Sequence, residues 1–332
     1  MHDSRHTAQE EVLSLLRHAD GCISGEELSR RLGISRTAIW KHIKALRSHG
    51  YEIKAASGRG YQLVQVPDLL SPTEIQNGLH TRFIARNVYA FEQVDSTNHQ
   101  AMLMGEEGAA DGTVVIADAQ SSGKGRLGRR WASPAGVNLY ASIVLRPPIA
   151  PHRAPQLTFV SAVAVAQAIN SFSGLNARVK WPNDILIDDC KVGGLLNEMS
   201  AESERVHFVV LGIGLNVNMT ASQFPEDLRY PATSLFLSSG RKWSRVALAR
   251  HLFEKLEQLY RQYLNEGFEP VLQQWESLCC WQGRVVEVDR GTDRIRGRFA
   301  GLDQTGALLL DAGGTLEKIY SGDVRPSDDE TG

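Results

Sequence analysis

Nine residues, Gly123-Lys124-Gly125-Arg126-Leu127-Gly128-Arg129-Arg130-Trp131, set the narrowest limit on what this chain can become. Three glycines and four cations share that stretch. Glycine lets main-chain N–H groups approach a ligand closely. Cations alternating around such a loop make an anion trap. The spacing matches G-x-G-x-x-G, but a dinucleotide-binding βαβ unit needs a helix opening on the last glycine and an acid about 20 residues later. Here Arg129-Arg130-Trp131 read as strand, and Pro134 and Gly136 as turn. A Walker loop needs Ser or Thr after its lysine, and Gly125 stands there. Doubly wound and P-loop folds are therefore disfavoured. A lid over a small, highly charged molecule and a solvated basic loop both fit.

Further motifs decide between these two. Upstream lie Asp95-Ser96-Thr97-Asn98 and, three residues before the loop, Gln120. Downstream come Lys180-Trp181-Pro182-Asn183-Asp184, then Cys190-Lys191-Val192-Gly193-Gly194, then Gly212-Ile213-Gly214-Leu215-Asn216-Val217-Asn218. Read as D-S-T-N, Q-x-x-G-x-G-R-x-G-R-x-W, K-W-P-N-D, K-x-G-G and G-x-G-x-N-x-N, the set resembles the biotin protein ligases in order and spacing. The likeness covers nearly the whole chain. One departure is Lys124, where many members carry Arg: the charge is kept and the bidentate fork is lost.

The resemblance implies an α+β multidomain protein. Residues 1–66 would form a winged helix-turn-helix DNA-binding domain. Residues 67–276 would form a catalytic domain, a mixed and largely antiparallel sheet with helices related to class II aminoacyl-tRNA synthetase cores. Residues 277–328 would form an SH3-like β-barrel. The implied reaction has two steps. The biotin carboxylate attacks the α-phosphate of ATP, giving biotinyl-5′-AMP and pyrophosphate. A lysine of a biotin carboxyl carrier protein then attacks the mixed anhydride. Bringing an anion onto a polyanion requires cations and Mg2+ bound through the phosphates. Lys124, Arg126 and Lys191 match the cations near the carboxylate and α-phosphate. Ser96, Thr97, Asn98 and Gln120 match groups that hydrogen-bond biotin, and Gly123 and Gly125 give it backbone approach. Arg129, Lys180, Asn183 and Asn216 match positions near the adenylate. Asp184 is the candidate to orient the acceptor lysine or take its proton, although Pro182-Asn183-Asp184 is also a common turn sequence. Trp131 fits either the ligand tail or the core. No protein-held metal is implied.

The first 66 residues support the DNA-binding reading by themselves. Apolar spacing predicts a helix over 7–19, with Val12, Leu15 and Leu16 inward, and a short helix over 26–32. Gly33-Ile34-Ser35 makes a turn in which Ser35 can cap a third helix over 36–48. That helix gathers Ala38, Ile39, Ile43, Ala45 and Leu46 on one face and Thr37, Trp40, Lys41 and Lys44 on the other, with Arg36 and Arg47 at the border. Strand-like 51–54 and 61–64 flank Ser57-Gly58-Arg59-Gly60, the tip of a wing. From Ser24 to Tyr61 there are eight Lys/Arg against three acids, a net of +5 in a chain whose overall charge is −2. An ordinary solvated face would show charge but not this wing and turn spacing. Arg36, Thr37, Trp40, Lys41 and Lys44 are the candidate groove contacts, and Arg59 the candidate phosphate or minor-groove contact; Trp40 could instead pack.

Beyond residue 66, strand patterns fall at 87–91, 113–117, 139–145, 177–181, 185–187 and 206–215, with helices over 155–172 and 245–266. This is not regular βαβ alternation. Short strands at 284–288, 294–300, 307–311 and 316–320 follow, and Asp328-Asp329-Glu330 reads as a frayed acidic tail. Four scattered cysteines, Cys22, Cys190, Cys279 and Cys280, have no metal-ligand spacing and read as reduced thiols. No charged start leads into an apolar leader, and the longest apolar helical run, 157–169, is too short to span a bilayer, so a cytoplasmic chain is expected. A winged helix joined to such a core suggests a repressor that dimerises on an operator when its adenylate is bound. Two alternatives stand beside it: a non-catalytic biotin-sensing repressor, and a lipoate-type ligase.

Overall fold

The computed structural model of the chain describes residues 8–56, 58–291 and 293–327. It separates into two compact units, divided between Leu69 and Leu70.

The first unit holds α1 (Ala8–Arg17), α2 (Gly25–Leu32), α3 (Arg36–Ser48), β1 (Glu52–Ala56) and β2 (Gly60–Gln65). Ser24 and Ser35 cap α2 and α3 by accepting from the N–H groups of Glu27 and Ala38, at 3.0 and 3.2 Å. Gly33 ends α2 in the left-handed conformation that a side chain would resist. Val12, Leu16, Leu28, Ile39, Ile43 and Leu46 close a core of their own. Leu13 takes the inward place expected of Leu15, which is only half-buried. β1 and β2 pair antiparallel, and Ile23 joins as a bridge to Tyr61. A Cβ on Gly60 would lie 2.1 Å from the Ile23 carbonyl, so that crossing requires glycine. Thr7 of the expected first helix and Ser57 of the wing tip lie outside the described residues.

The second unit opens with α4 (Pro72–Gln76), β3 (Val88–Val94), α5 (Thr97–Glu106), β4 (Thr113–Gln120) and β5 (Leu139–Leu145). It continues through α6 (Gln156–Ser173), β6 (Arg178–Lys180), β7 (Asp184–Ile187), β8 (Cys190–Ala201), β9 (Val206–Leu215), α7 (Leu235–Ser239), α8 (Arg245–Glu266) and α9 (Glu269–Leu278). Seven strands form one sheet in the order β3-β4-β5-β9-β8-β7-β6. Only β3 and β4 run parallel; every other pair is antiparallel. The sheet sends alternate side chains to opposite faces. Val114 and Ile116 of β4 enter the main core under α6 and α8, while Val115 meets Ala101 of α5 and Phe208 on the other side. The apolar run 157–169 lies within α6, buried almost all round against α8 and α9. No helix among the described residues is long and apolar enough to cross a membrane.

Five further strands, β10 (Val285–Asp289), β11 (Arg294–Leu302), β12 (Leu308–Ala312), β13 (Thr315–Ile319) and β14 (Asp323–Pro326), form an antiparallel sheet of order β13-β12-β11-β10-β14. This small β domain does not stand apart. Val286, Phe299, Leu308 and Leu310 belong to the same core as the central helices, and Trp275 of α9 stacks on Phe299 at 6.4 Å. Packing therefore joins 277–327 to the central fold. The acidic Asp328-Asp329-Glu330 lies outside the described residues.

Candidate active site

Strands β6 and β7 are joined by the tight turn Trp181-Pro182-Asn183, whose Trp181–Pro182 peptide is cis. The turn brings Lys180 and Asp184 side by side, and Lys191, paired with Leu186 across β7 and β8, reaches Asp184 with its side chain. The Asp184 carboxylate lies 2.5 Å from Lys191 Nζ and 3.2 Å from Lys180 Nζ. Burial pushes this carboxyl upward, but the two ammonium groups more than reverse that and hold it below the ordinary aspartate value. Asn183 is fastened to β8: its amide and its carbonyl both bond to the Leu195 backbone.

The glycine–cation loop folds over this centre as a small hairpin. Lys124 bridges Arg130, and the Gly125 N–H donates to the Arg129 carbonyl at 2.7 Å, so it is spent within the loop. Leu127 and Gly128 both adopt left-handed conformations at the tip. Leu127 is 75% exposed there, which leaves Arg126 to turn inward. The Arg126 guanidinium donates to Asn183 Oδ1 at 3.3 Å, and its burial draws its pKa below the ordinary arginine value against the pull of Asp184 and Asp323. Arg129 does not point at Asp184. It forms a two-pronged pair with Asp323 of β14, one prong at 3.1 Å. Lys124 is exposed at the mouth of the cleft.

The other end of the cleft is polar and buried. Ser96, Thr97 and Asn98 open α5 and are at most 4% exposed. Gln120 Oε1 accepts from the Thr97 N–H at 2.8 Å, and Gln120 Nε2 donates to Ser133 Oγ at 2.9 Å. Asn98 is committed within the protein. Its amide donates to Leu196 O and Glu198, and its oxygen accepts from Ser142 Oγ at 2.6 Å. Three glycines here are spacers. A Cβ on Gly212 would lie 2.1 Å from Asn98 Oδ1; one on Gly214 would meet the Trp131 indole; one on Gly123 would lie 2.6 Å from Trp131 O. Trp131 thus packs along β8 and β9, with Lys191 Nζ 5.4 Å over its ring. Its indole N–H is buried and has no partner among the described residues.

The cleft continues past Trp131 and Asp184 into a wider space of about 2020 Å³, its open mouth included. Asn216 and Lys180 line it, together with Phe224, Leu228, Arg229, Tyr230 and Arg325. Asn216 is anchored to Thr233 O through its amide. Sequence reasoning had not singled out Asp323, Arg229, Tyr230, Ser142 or Trp281. They carry no motif, and only the fold brings β14 and the segment after β9 to this place. Among the described residues, no three carboxylate, imidazole or thiolate groups are gathered to hold a metal ion. The four cysteines are free thiols.

In the first unit, α3 exposes Arg36, Thr37, Trp40, Lys41 and Lys44 on one side, and Arg59 is exposed at the wing. Trp40 is 53% exposed, with Lys44 Nζ 5.5 Å over its ring, which removes the packing alternative. Arg47 instead clamps the Ile53 carbonyl and so holds α3 to β1.

Residues 90–216 match the biotin/lipoate A/B protein ligase family, 8–62 an HTH domain and 283–325 a biotin protein ligase C terminal domain. The chain is 40% identical over 321 residues to the bifunctional ligase/repressor BirA of Bacillus spizizenii, spanning 96% of this chain and 99% of that one. It is 39% identical to the Bacillus subtilis protein of the same name over the same shares. Among solved structures, it resembles biotin protein ligase from Aquifex aeolicus in complex with biotin and ATP: TM-score 0.64, 29% identity, 73% of this chain and all of that one.

Proposed function

The chain belongs to the family of bifunctional ligase/repressors, and from that membership we propose that it joins biotin to a lysine of a biotin carboxyl carrier protein through biotinyl-5′-AMP and represses transcription when that adenylate is bound. The observation that carries the ligase half is the buried Asp184 carboxylate held between Lys180 and Lys191, with Arg126 above it. Biotin and ATP are the substrates, in keeping with the Aquifex aeolicus complex.

In the first half-reaction two anions must meet. Lys124, Arg126, Lys180 and Lys191 supply positive charge from the loop, β6 and β8. Fixed charges held in place by the fold act more strongly than mobile ions in water and need no reorganisation as charge develops. Asp184 is the counter-charge that keeps two of these ammonium groups in register. An arriving α-phosphate can take Lys191 from it without moving the backbone. Ser96, Thr97 and Gln120 face the biotin end, while Ser142 ties Thr97 to Asn98 behind them. Magnesium would arrive with the nucleotide phosphates; among the described residues no cluster of carboxylates, imidazoles or thiols is gathered to hold it alone.

In the second half-reaction a carrier lysine, with a free pKa of about 10.4, must reach the anhydride. A carboxylate held below its ordinary value is a weak base. Asp184 therefore orients the incoming amine as a hydrogen-bond acceptor, after the ammonium has given its proton to bulk water outside the cleft. Arg126 and the loop around it close over the adenylate and keep water from the anhydride.

The repressor half rests on α3 and its wing. Two copies brought together by the adenylate would present two such helices to an inverted-repeat operator. The ligand biases that dimer only through its differential affinity for the two states. A need for ATP and a carrier protein supports a cytoplasmic chain. Biotin-dependent ATP–pyrophosphate exchange, followed by streptavidin blotting of a carrier domain, tests the chemistry; no exchange would overturn it. A gel shift indifferent to biotin plus ATP would overturn the coupling to DNA.

A further inference from the structure

Lys180 is only 6% exposed, and among the described residues the carboxylate oxygen bonded to its ammonium is Asp184 Oδ2. An ammonium carries three donors. Two aromatic rings flank it: Nζ lies 4.5 Å from the Tyr230 ring centroid and 5.5 Å from that of Trp281. The two rings stand 6.5 Å apart at 57°, two walls of an open cage. Trp281 comes from the junction between α9 and β10. Cys279 bridges Val179, the Cys280 N–H donates to Val179 O at 3.1 Å, and Arg178 holds the carbonyls of Leu278 and Cys279. This segment is laid along the free edge of β6, so the next residue falls opposite Lys180. The Trp281 indole N–H is buried without a partner among the described residues. Its ring is therefore not placed to satisfy a hydrogen bond; it is its face that meets a polar group.

We propose that Trp281 is a positioning residue for the adenylation half-reaction: its ring face, with that of Tyr230, holds the Lys180 ammonium where it meets the nucleotide phosphates. This rests on the ligase reading above. It gives the junction into the C-terminal sheet a part in the chemistry without any contact with substrate.

The attraction comes from the ring quadrupole, which fluorination weakens while the ring's shape is nearly kept. Site-specific replacement of Trp281 by mono-, di-, tri- and tetrafluorotryptophan, followed by pyrophosphate exchange, separates this role from packing. The expected result is a graded fall in kcat/KM for ATP, about tenfold across the series, with KM for biotin unchanged. A flat series, or loss that affects both substrates equally, overturns the proposal. A second readout does not need turnover. The Lys180 Cε resonance should be shifted upfield by the rings in the unmodified protein and return toward the ordinary lysine position in Trp281→Leu; an unshifted resonance also overturns it. Absence of exchange in the unmodified protein would strike the ligase reading instead, and the resonance still decides whether the cage holds Lys180.

Discussion

Gly214 faces the indole of Trp131 so closely that the Cβ it lacks would lie 2.6 Å from the ring nitrogen. The G-x-G of β9 is thus a pair of clearances cut for two side chains, Trp131 and Asn98, more than a backbone approach to phosphate. Gly214→Ala and Gly212→Ala should each destabilise the fold by about 1–3 kcal/mol, the usual penalty of overpacking. Gly193, whose nearest neighbours would be 3.3 Å away, should tolerate alanine better. Urea unfolding of the three variants checks the order. Gly214→Ala with Trp131→Leu should recover stability but not adenylation; equal stability of all three single variants would refute the clearance.

The Asp184 carboxylate shared by Lys180 and Lys191 makes a second test. Asp184→Asn leaves two poorly solvated ammonium groups without their anion, which typically costs about 3–5 kcal/mol when the pair is buried. The pH dependence has a definite sign. Because the folded value is depressed, the stabilisation is fully present above the unfolded aspartate pKa of about 3.9 and is lost as pH falls through the lower folded value. The gap between the parent protein and Asp184→Asn should be constant from neutral pH down to about 4 and close below it. Urea midpoints across that range measure it. A gap that opens toward acid would contradict the assignment.

These two cases show what could be read before the fold was known. The long strands β5 and β9 and the helices α3, α6 and α8 declare themselves by apolar period, because each buries one face or all of it. Lys180, Asp184 and Lys191 stand out only through the resemblance, as members of the K-W-P-N-D and K-x-G-G motifs; spacing alone leaves Pro182-Asn183-Asp184 a common turn. β8 was not legible as a strand. Its paired glycines lower strand propensity, and only β7 and β9 on either side stabilise it. Asp323, Tyr230 and Trp281 were invisible for a different reason: each sits in an unremarkable local sequence, and its meaning comes from a partner far away along the chain. Arg47 counted as a border cation until its carbonyl partner appeared.

The Arg129–Asp323 pair ties the glycine–cation loop to β14. Asp323→Asn removes the charge but keeps the shape. The loop, with Lys124, Arg126, Arg129 and Arg130, should then be nicked by trypsin several-fold faster, since cleavage follows the open population. Timed digestion with mass analysis of the cut sites reads this directly. Saturating ATP and biotin should restore protection if the nucleotide phosphates take over Arg129. An unchanged cleavage rate would show that the pair does not fasten the loop.

For the DNA-binding unit, Lys41→Ala and Lys44→Ala should each weaken binding to duplex DNA and lower the salt slope by about 1, the signature of one lost phosphate contact. Biotinylation should be unaffected, because α3 packs in a core of its own. Arg47→Ala should instead lower the stability of this unit, since its guanidinium holds the Ile53 carbonyl. Fluorescence anisotropy with a random duplex at several salt concentrations suffices, because the phosphate term does not depend on sequence. Slopes identical to the parent protein would exclude this face of α3.

Arg126 is the loop cation nearest the centre, with its guanidinium on Asn183 and Asp184 within its field. If it closes over the adenylate, its removal should not chiefly slow formation of the anhydride; it should let the anhydride leave. A charge-assisted hydrogen bond is worth about 1.5–3 kcal/mol, which at about 1.4 kcal/mol per decade is roughly a ten- to hundredfold faster off-rate. Arg126→Gly should therefore release biotinyl-5′-AMP into solution, where it would label lysines on proteins unrelated to the carrier. Arg126→Gln removes the charge and adds no backbone freedom, so it separates charge from flexibility: if charge dominates, Gln and Gly should leak alike. A stopped-flow chase of preformed adenylate measures the rate for each. An off-rate unchanged in both variants would mean that the loop is not the lid.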